Sequence, residues 1–266
     1  MRLLITRYKP KAQCRDTLIE LTYNQLMSDF YSRTELLLQD EGLSRLKAAH
    51  VLVVGLGGVG GYAAEQLCRA GVGRLTIVDG DVVGETNLNR QLIALRSTLG
   101  QPKVSLFQQR FADINPDCKV TPIQEFLRDE RMTEVLESDH YDCVVDCIDT
   151  LSPKVFLLYH SHRLGIPTVS SMGSGGKMDP SQVHASDIAK SNTCPLAAMV
   201  RKRLHHLGVY SGIRVVFSTE KVPPHAMRED PSDNHLTTIG TISYMPPFFG
   251  CFLAAEVIKI LLQKAS

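Results

Sequence analysis

The stretch VLVVGLGGVGGYAAEQLCRAGVGRLTIVD, Val51 to Asp79, decides the fold. Val51 to Val54 is an unbroken apolar run of buried-strand length. Gly55, Gly57, Gly58, Gly60 and Gly61 make a turn, and Val59, Ala63, Leu67 and Ala70 then recur at helical spacing. Gly71 and Gly73 stop that helix, and a second apolar run, Leu75 to Val78, ends in Asp79. Strand, glycine turn, helix and strand in that order form a β-α-β unit. Its first turn can present backbone N–H groups to a phosphate chain, and the acid after the second strand can hold a ribose. GLGGVG at 55–60 matches G-x-G-x-x-G, a weak signal alone, whose commonest owners are nicotinamide and flavin enzymes. A merely tight turn would not require the helix, second strand and terminal acid to follow in order. The unit therefore reads as a nucleotide site, with the nucleotide undecided.

Upstream, Arg33 to Lys47 has a helical pattern, with Leu36, Leu37, Leu43 and Leu46 as apolar positions and Gly42 interrupting. Residues 1–26 differ: Arg2, Arg7, Lys9, Lys11 and Arg15 show no clear period. Met27 offers an alternative start, so 1–26 is expected to be a dispensable extension. Asp16 and Glu20 count against a basic targeting leader.

Downstream, a helix is expected from Gln101 to Ile114, with Val104, Phe107 and Phe111 on one face. Val120–Ile123 reads as a strand, Met132–Leu136 as a short helix and Tyr141–Cys147 as a strand. Pro153 sits where a first-turn proline belongs, opening a helix that runs to Leu164, and Ile166–Ser170 is the next strand. The second half changes character. A glycine-rich turn at Gly173, Gly175 and Gly176 precedes an antiparallel strand near Val183, an amphipathic helix at Pro195–Leu207 and a strand at Arg214–Ser218. Val222 to Thr237 is polar and proline-rich and is expected to be a mobile loop. A packed helix from about Pro247 to Leu262 closes the chain. Glu256, Lys259, Pro246 and Pro247 count against a membrane span, which needs roughly 20 largely uncharged apolar residues. The expected fold is α/β: a Rossmann-like, doubly wound, mostly parallel sheet with antiparallel strands added in the C-terminal half. One domain would cover 27–266, with a nucleotide-binding half at 48–170 and a substrate-facing half at 171–266.

Composition excludes several classes. The 44% hydrophobic and 21% charged fractions are those of a globular chain, and a net charge of +1 gives no global field for nucleic acid. Any such partner must be held by a local patch. Seven scattered cysteines include no C-x-x-C pair, which argues against a four-cysteine zinc site and suits a reducing, cytoplasmic setting. Cys68, Cys143 and Cys147 read as core thiols.

The residues after Asp79 narrow the nucleotide. Asn87, Asn89 and Arg90 in NLNRQ, then Lys103 in GQPK, bring amides and two cations towards the glycine turn. Such groups neutralise the charge that grows when an α-phosphorus is attacked. Asp149, after a parallel strand, stands where an acid can meet a bound magnesium. The plain alternatives are a solvated pair for Arg90 and Lys103, and a helix cap for Asp149.

With GLGGVG at 55–60, VDGD at 78–81, NLNRQ at 87–91, GQPK at 100–103 and DCIDT at 146–150, the chain resembles the ubiquitin-activating-enzyme superfamily of ATP-dependent adenylating enzymes. The resemblance implies that Gly55, Gly57, Gly58, Gly60, Asp79, Asp81 and Asn87 bind ATP. It implies that Arg90 and Lys103 act on the phosphates and that Asp149 organises Mg2+. Arg33 in YSRTELL takes the place of an arginine that reaches the partner subunit's phosphates, so a homodimer is implied. RTELLL at 33–38, DTLSPKVFL at 149–157, SSMGSGGKMDPSQV at 170–183 and DIAKSNTCPLAAMVRKRL at 187–204 are similar to the superfamily's tRNA-modifying dehydratase branch. That branch activates the carboxylate of a threonylcarbamoyl group on an anticodon-loop adenosine, which then cyclises with net loss of water. A cysteine-containing loop of that branch has no counterpart in HAMREDPSDNHLTTIGTISYMPP, 225–247, and Cys194 reads as an ordinary loop thiol.

A tRNA would be held by Lys177, Lys190, Arg201, Lys202 and Arg203, with Arg214, as one basic face; a solvated helix face is the plain alternative. A sulfur-transfer protein is a further candidate partner. Three other functions stay open: adenylation of a ubiquitin-like sulfur carrier at its C-terminal glycine, a non-enzymatic nucleotide-binding dimer, and a nicotinamide oxidoreductase.

Overall fold

The structure is a computed structural model and describes residues 12–230 and 233–263, with side chains described for 30–228 and 238–263. The chain divides into two compact units, residues 1–43 and 44–266. Most of the first is α1 (Ala12–Ala48), a helix broken at Gln39, where the backbone turns to φ 60 and ψ 174. The expected break at Gly42 does not occur. A helix interior tolerates glycine at a cost of about 1 kcal/mol, so glycine alone need not end it.

The second unit alternates strand and helix. Its elements are β1 (His50–Val54), α2 (Gly60–Ala70), β2 (Arg74–Val78), α3 (Lys103–Ile114), β3 (Lys119–Ile123) and α4 (Asp129–Glu137). Then come β4 (Cys143–Asp146), α5 (Leu151–Arg163), β5 (Thr168–Ser171), β6 (Val183–Asp187), α6 (Pro195–His206) and β7 (Arg214–Ser218). The last are β8 (Met227–Asp230), β9 (Asp233–Ile239) and α7 (Met245–Gln263). Seven strands form one sheet in the order β3-β2-β1-β4-β5-β7-β6. All pairs are parallel except β6 with β7. The chain winds outward from β1 to β3, then returns to β4 on the other side of β1. A reversal of this kind leaves a crevice beyond the carboxyl ends of β1 and β4.

Every residue of β1 is buried, as expected for a central parallel strand covered on both faces. Leu52, Val54 and Val144 pack against Met132, Val135 and Leu136 of α4 and Leu157 of α5. Val155 and Leu158 of α5 join Ala197, Val200 and Leu204 of α6 over Val215 and Phe217. The opposite layer contains α2 and α7, which approach so closely that a Cβ on Gly250 would lie 2.4 Å from the Val59 carbonyl. By length and composition α7 could cross a membrane, yet half of it is buried inside the fold. Its Glu256 is buried and accepts from Arg214 Nε at 2.6 Å and Lys259 Nζ at 2.7 Å. Burial pushes that carboxyl up, but the two cations outweigh it and hold it below the usual range.

One expectation fails here. Val222–Thr237 is not an unstructured loop; β8 and β9 pair as an antiparallel hairpin from Met227↔Ile239 to Asp230↔Asp233. The sequence of these strands is mostly polar and carries no period-2 apolar signal, so the pairing could not be read from it.

Candidate functional site

Register sets the site. Val54 pairs with Val78 on one side and with Asp146 on the other, so Gly55, Asp79 and Cys147 leave the sheet at one level. Gly55 turns at φ 90 and donates to the Val78 carbonyl at 2.8 Å. A Cβ there would meet the Cys147 carbonyl at 2.8 Å, and one on Gly60 would sit 1.7 Å from the Gly55 carbonyl. These two glycines close the turn tightly onto β4. Gly57 and Gly58 differ: their nearest neighbours are Gln91 Nε2 at 3.8 Å and, for Gly58, Pro246 and the Arg90 stem at 3.0 and 3.2 Å. The turn is thus shut at its base and keeps room at its tip only at Gly57, just before α2 begins.

Asp79 is buried beside this tip. Its Oδ2 accepts from the Leu56 N–H at 2.6 Å and its Oδ1 from the Asp81 N–H at 2.8 Å. Lys103, the first residue of α3, is also buried; its Nζ lies 2.9 Å from Asp81 and 3.6 Å from Asp79. Asn87 accepts from the Gly84 N–H at 3.0 Å and caps a short turn. Arg90 is anchored by its Nη1 to the Thr86 carbonyl and Asn89 Oδ1, each at 2.8 Å, while its stem crosses Gly58.

Two features escaped the sequence reading here. Gln91 is buried with no hydrogen-bond partner on Oε1. An unpaired buried acceptor costs about 1–3 kcal/mol and asks for a donor; the Nε2 of the same amide faces Gly57. Phe126 covers Gly80, where a Cβ would lie 2.6 Å from its ring, and the ring is 59% exposed next to the Asp79 turn. NLNRQ contains Gln91 openly; only the fold shows that its amide is buried.

Beneath Asp149 lies a third unforeseen feature. Asp146 and Lys154 are fully buried, with Lys154 Nζ donating to Asp146 Oδ2 at 2.6 Å. Ser170 Oγ donates to the same oxygen at 2.6 Å, and Asp146 Oδ1 accepts from the Ile148 N–H at 3.1 Å. The network ties β4, α5 and β5 together and fixes the segment 147–149 against Gly55. A lysine inside the apolar run PKVFLL was its only sign. Asp149 itself is exposed, and no partner is found for its carboxylate among the described residues. It does not cap α5; Thr150 occupies that position without a side-chain cap.

No cluster of three metal-ligating residues exists among the described residues, so Asp149 would meet a metal as a single exposed carboxylate. That donor set fits magnesium, which uses one or two carboxylates together with phosphates and water. It would not fit a tightly caged metal.

The residues expected to meet tRNA separate into two groups. Lys177 is buried and donates to the Glu220 carbonyl. Arg201 donates from Nη1 to the Ser191 carbonyl at 2.9 Å and Oγ at 2.7 Å, and Arg214 is paired with Glu256. Lys190, Lys202 and Arg203 are exposed, and Arg203 Nη1 reaches Ser152 Oγ at 2.8 Å. Arg33 lies exposed on α1 in the first unit. Cys194 is 4% exposed in the core under α6, and no disulfide forms among the described residues.

A tight glycine turn at the switch point, with room at its tip and bordered by cations, defines a doubly wound α/β protein of the kind that holds a phosphate chain. Comparison with known proteins agrees with that class. The chain belongs to the ThiF family, whose model matches residues 31–266. It is 45% identical over 200 residues to tRNA threonylcarbamoyladenosine dehydratase of Bacillus subtilis (strain 168), covering 75% of this chain and 78% of that one. The enzyme of the same name from Escherichia coli (strain K12) is 40% identical over 254 residues, covering 89% of this chain and 94% of that one. A crystal structure of an E. coli tRNA N6-threonylcarbamoyladenosine dehydratase in complex with ATP superposes with a TM-score of 0.80 at 34% identity, covering 88% of this chain and 94% of that one.

Proposed function

We propose that this chain is an ATP-dependent adenylating enzyme that dehydrates N6-threonylcarbamoyladenosine in tRNA. The observation that carries the reading is the room at Gly57 in the tip of the glycine turn, bordered by the Gln91 amide and, at Gly58, by the Arg90 stem, with Asp149 exposed in the segment that follows the neighbouring strand. The names and ATP complex of the relatives support it.

In this reading the N–H groups at the start of α2 face the phosphates. A carboxylate has about four acceptor sites. Asp79 gives two to backbone N–H groups and keeps the others for ribose hydroxyls. The exposed ring of Phe126 offers the base a flat apolar surface. A substrate carboxylate oxygen attacks the α-phosphorus, and pyrophosphate leaves. Arg90, and the Lys103 donor not engaged by Asp81 and Asp79, stabilise the departing charge. Magnesium, held by Asp149, would neutralise phosphate charge during that step. Intramolecular attack on the resulting acyl adenylate then expels AMP, which carries away one carboxylate oxygen; the base has lost one water overall. Positioning supplies most of the second step, so no side-chain nucleophile is required.

A homodimer completes the reading. Leu36 and Leu37 are 86% and 82% exposed near Arg33, an apolar pair that a second copy would cover. A reducing, cytoplasmic setting suits the thiols and the tRNA substrate. The test is ATP–pyrophosphate exchange. Threonylcarbamoylated tRNA is expected to stimulate it, and a small carrier protein is not. The reverse result would reassign the substrate.

A further inference from the structure

Charge is distributed unevenly along this chain. From Leu151 to Thr219 there are eight Lys and Arg but only two acids, Asp179 and Asp187; that surplus of six stands against a net charge of +1 for the whole. Both acids are occupied locally. Asp179 accepts from Ser181 and Gln182, and Asp187 from the N–H groups of Ala189 and Gly212. Four of the cations are also engaged: Lys154, Lys177, Arg201 and Arg214 hold the fold together. Arg163, Lys190, Lys202 and Arg203 remain exposed.

Neither α5 nor α6 contains an Asp or Glu, and the two helices pack side by side. Along α5 runs an aromatic ladder. Phe156, 47% exposed, stacks on His160 with centroids 6.5 Å apart and planes at 29°. Tyr159 meets His160 edge-on at 5.2 Å, and the Arg163 guanidinium lies 5.8 Å above the Tyr159 ring. The helix that carries the ladder starts at the candidate site, because α5 begins two residues after Asp149. Arg203 of α6 joins it there through Ser152. At about 1.5 Å per residue the seven steps from Phe156 to Arg163 carry the ladder roughly 10 Å along the helix.

Resting on the function proposed above, we propose that the exposed faces of α5 and α6 grip the unpaired loop of the tRNA, with Phe156 and His160 stacking on bases and Arg163, Lys202 and Arg203 on phosphates. Cations interleaved with exposed rings are the physical signature of single-stranded RNA contact, where bases stack on aromatic or guanidinium planes. An acidic protein would satisfy the cations and leave the ladder bare. The occupant must also deliver its carboxylate to the edge where Asp149 stands, and an RNA that carries that carboxylate does both. This places RNA on a helix absent from the sequence-derived basic face, and it removes Lys177 and Arg201 from that face.

The test is tRNA affinity at several salt concentrations for the wild type and for a variant combining Phe156→Ala, Arg163→Ala and Lys202→Ala, with ATP affinity measured alongside. The dissociation constant for threonylcarbamoylated tRNA is expected to rise by about tenfold or more. The slope of log affinity against log salt should flatten by about 1.4–1.8 for the two lost cations. An unchanged ATP affinity shows that the variant is folded, and Arg163→Glu alone repeats the test with one exposed change. Undiminished affinity with an undiminished slope in both variants overturns the RNA face. A wild-type chain that binds ATP but no tRNA overturns the function proposed above as well, so the two failures are told apart.

Discussion

The floor and the rim of the candidate site use the same residue types in opposite ways. On the floor, Asp146 and Lys154 are sealed from water and Lys103 is buried against Asp81 and Asp79. On the rim, Asp149 is exposed and without a partner among the described residues, and Arg90 is half-buried, its guanidinium held to its own loop and its stem against Gly58. Floor charges fix strand ends and loops, so their removal should unfold or loosen the protein. Rim charges are spare donors and acceptors, so their removal should leave the fold intact and cost chemistry.

The largest expected effect is on the floor. Lys154→Ala leaves the Asp146 carboxylate buried and uncompensated, and should destabilise the protein by about 3–5 kcal/mol. Urea unfolding measures this. Replacing both partners by apolar residues, Asp146→Leu with Lys154→Met, should cost less than either change alone. A single substitution with little effect would break the distinction between floor and rim.

Next comes the rim. Arg90→Ala should lower tRNA-dependent AMP release by about 100- to 1000-fold, the cost of removing one donor to developing charge. With its hydrogen bonds confined to its own loop, the change should alter stability by about 1 kcal/mol or less, well below the loss at the floor. Lys103→Ala, by contrast, should lose activity and stability together. Equal behaviour of the two variants would show that their different burial has no consequence.

Much of this was legible in advance, for reasons particular residues make plain. Val51–Asp79 carries strand, turn and helix signals that depend only on local sequence, and β1, α2 and β2 appear where those signals place them. Arg214–Ser218 was legible as a strand for the same reason. The hairpin of β8 and β9 was not, because its mostly polar sequence shows no alternation of apolar and polar residues. Nor could spacing show that Lys103, Lys154 and Lys177 are buried while Lys190 and Lys202 are exposed. A lysine reads the same in either place until the fold supplies its carboxylate, carbonyl or water.

The smallest effect lies at the far end of the sheet. His50, at the start of β1, is buried between Thr76 Oγ1 at 2.9 Å and the His140 carbonyl at 3.1 Å. Burial and then Arg74 lower its pKa, although Asp139 and Asp142 oppose them. A lowered folded pKa means that the unfolded chain binds the proton more readily. Its contribution is therefore present above about pH 6.5 and is lost as pH falls through the folded value. A scan of thermal midpoint against pH should show a shallow decline there that His50→Asn flattens, with no change in nucleotide affinity. A change in nucleotide affinity would mean that the two ends of the sheet are coupled.

In the function proposed above, the glycine-turn tip serves a dehydration of modified tRNA. Incubating the chain with ATP, magnesium and threonylcarbamoylated tRNA, then analysing the nucleosides by mass spectrometry, measures that outcome directly. The expected result is conversion of the modified adenosine to a product lighter by one water, with AMP and pyrophosphate released in step. An unchanged nucleoside, with ATP bound and the protein folded, would contradict it.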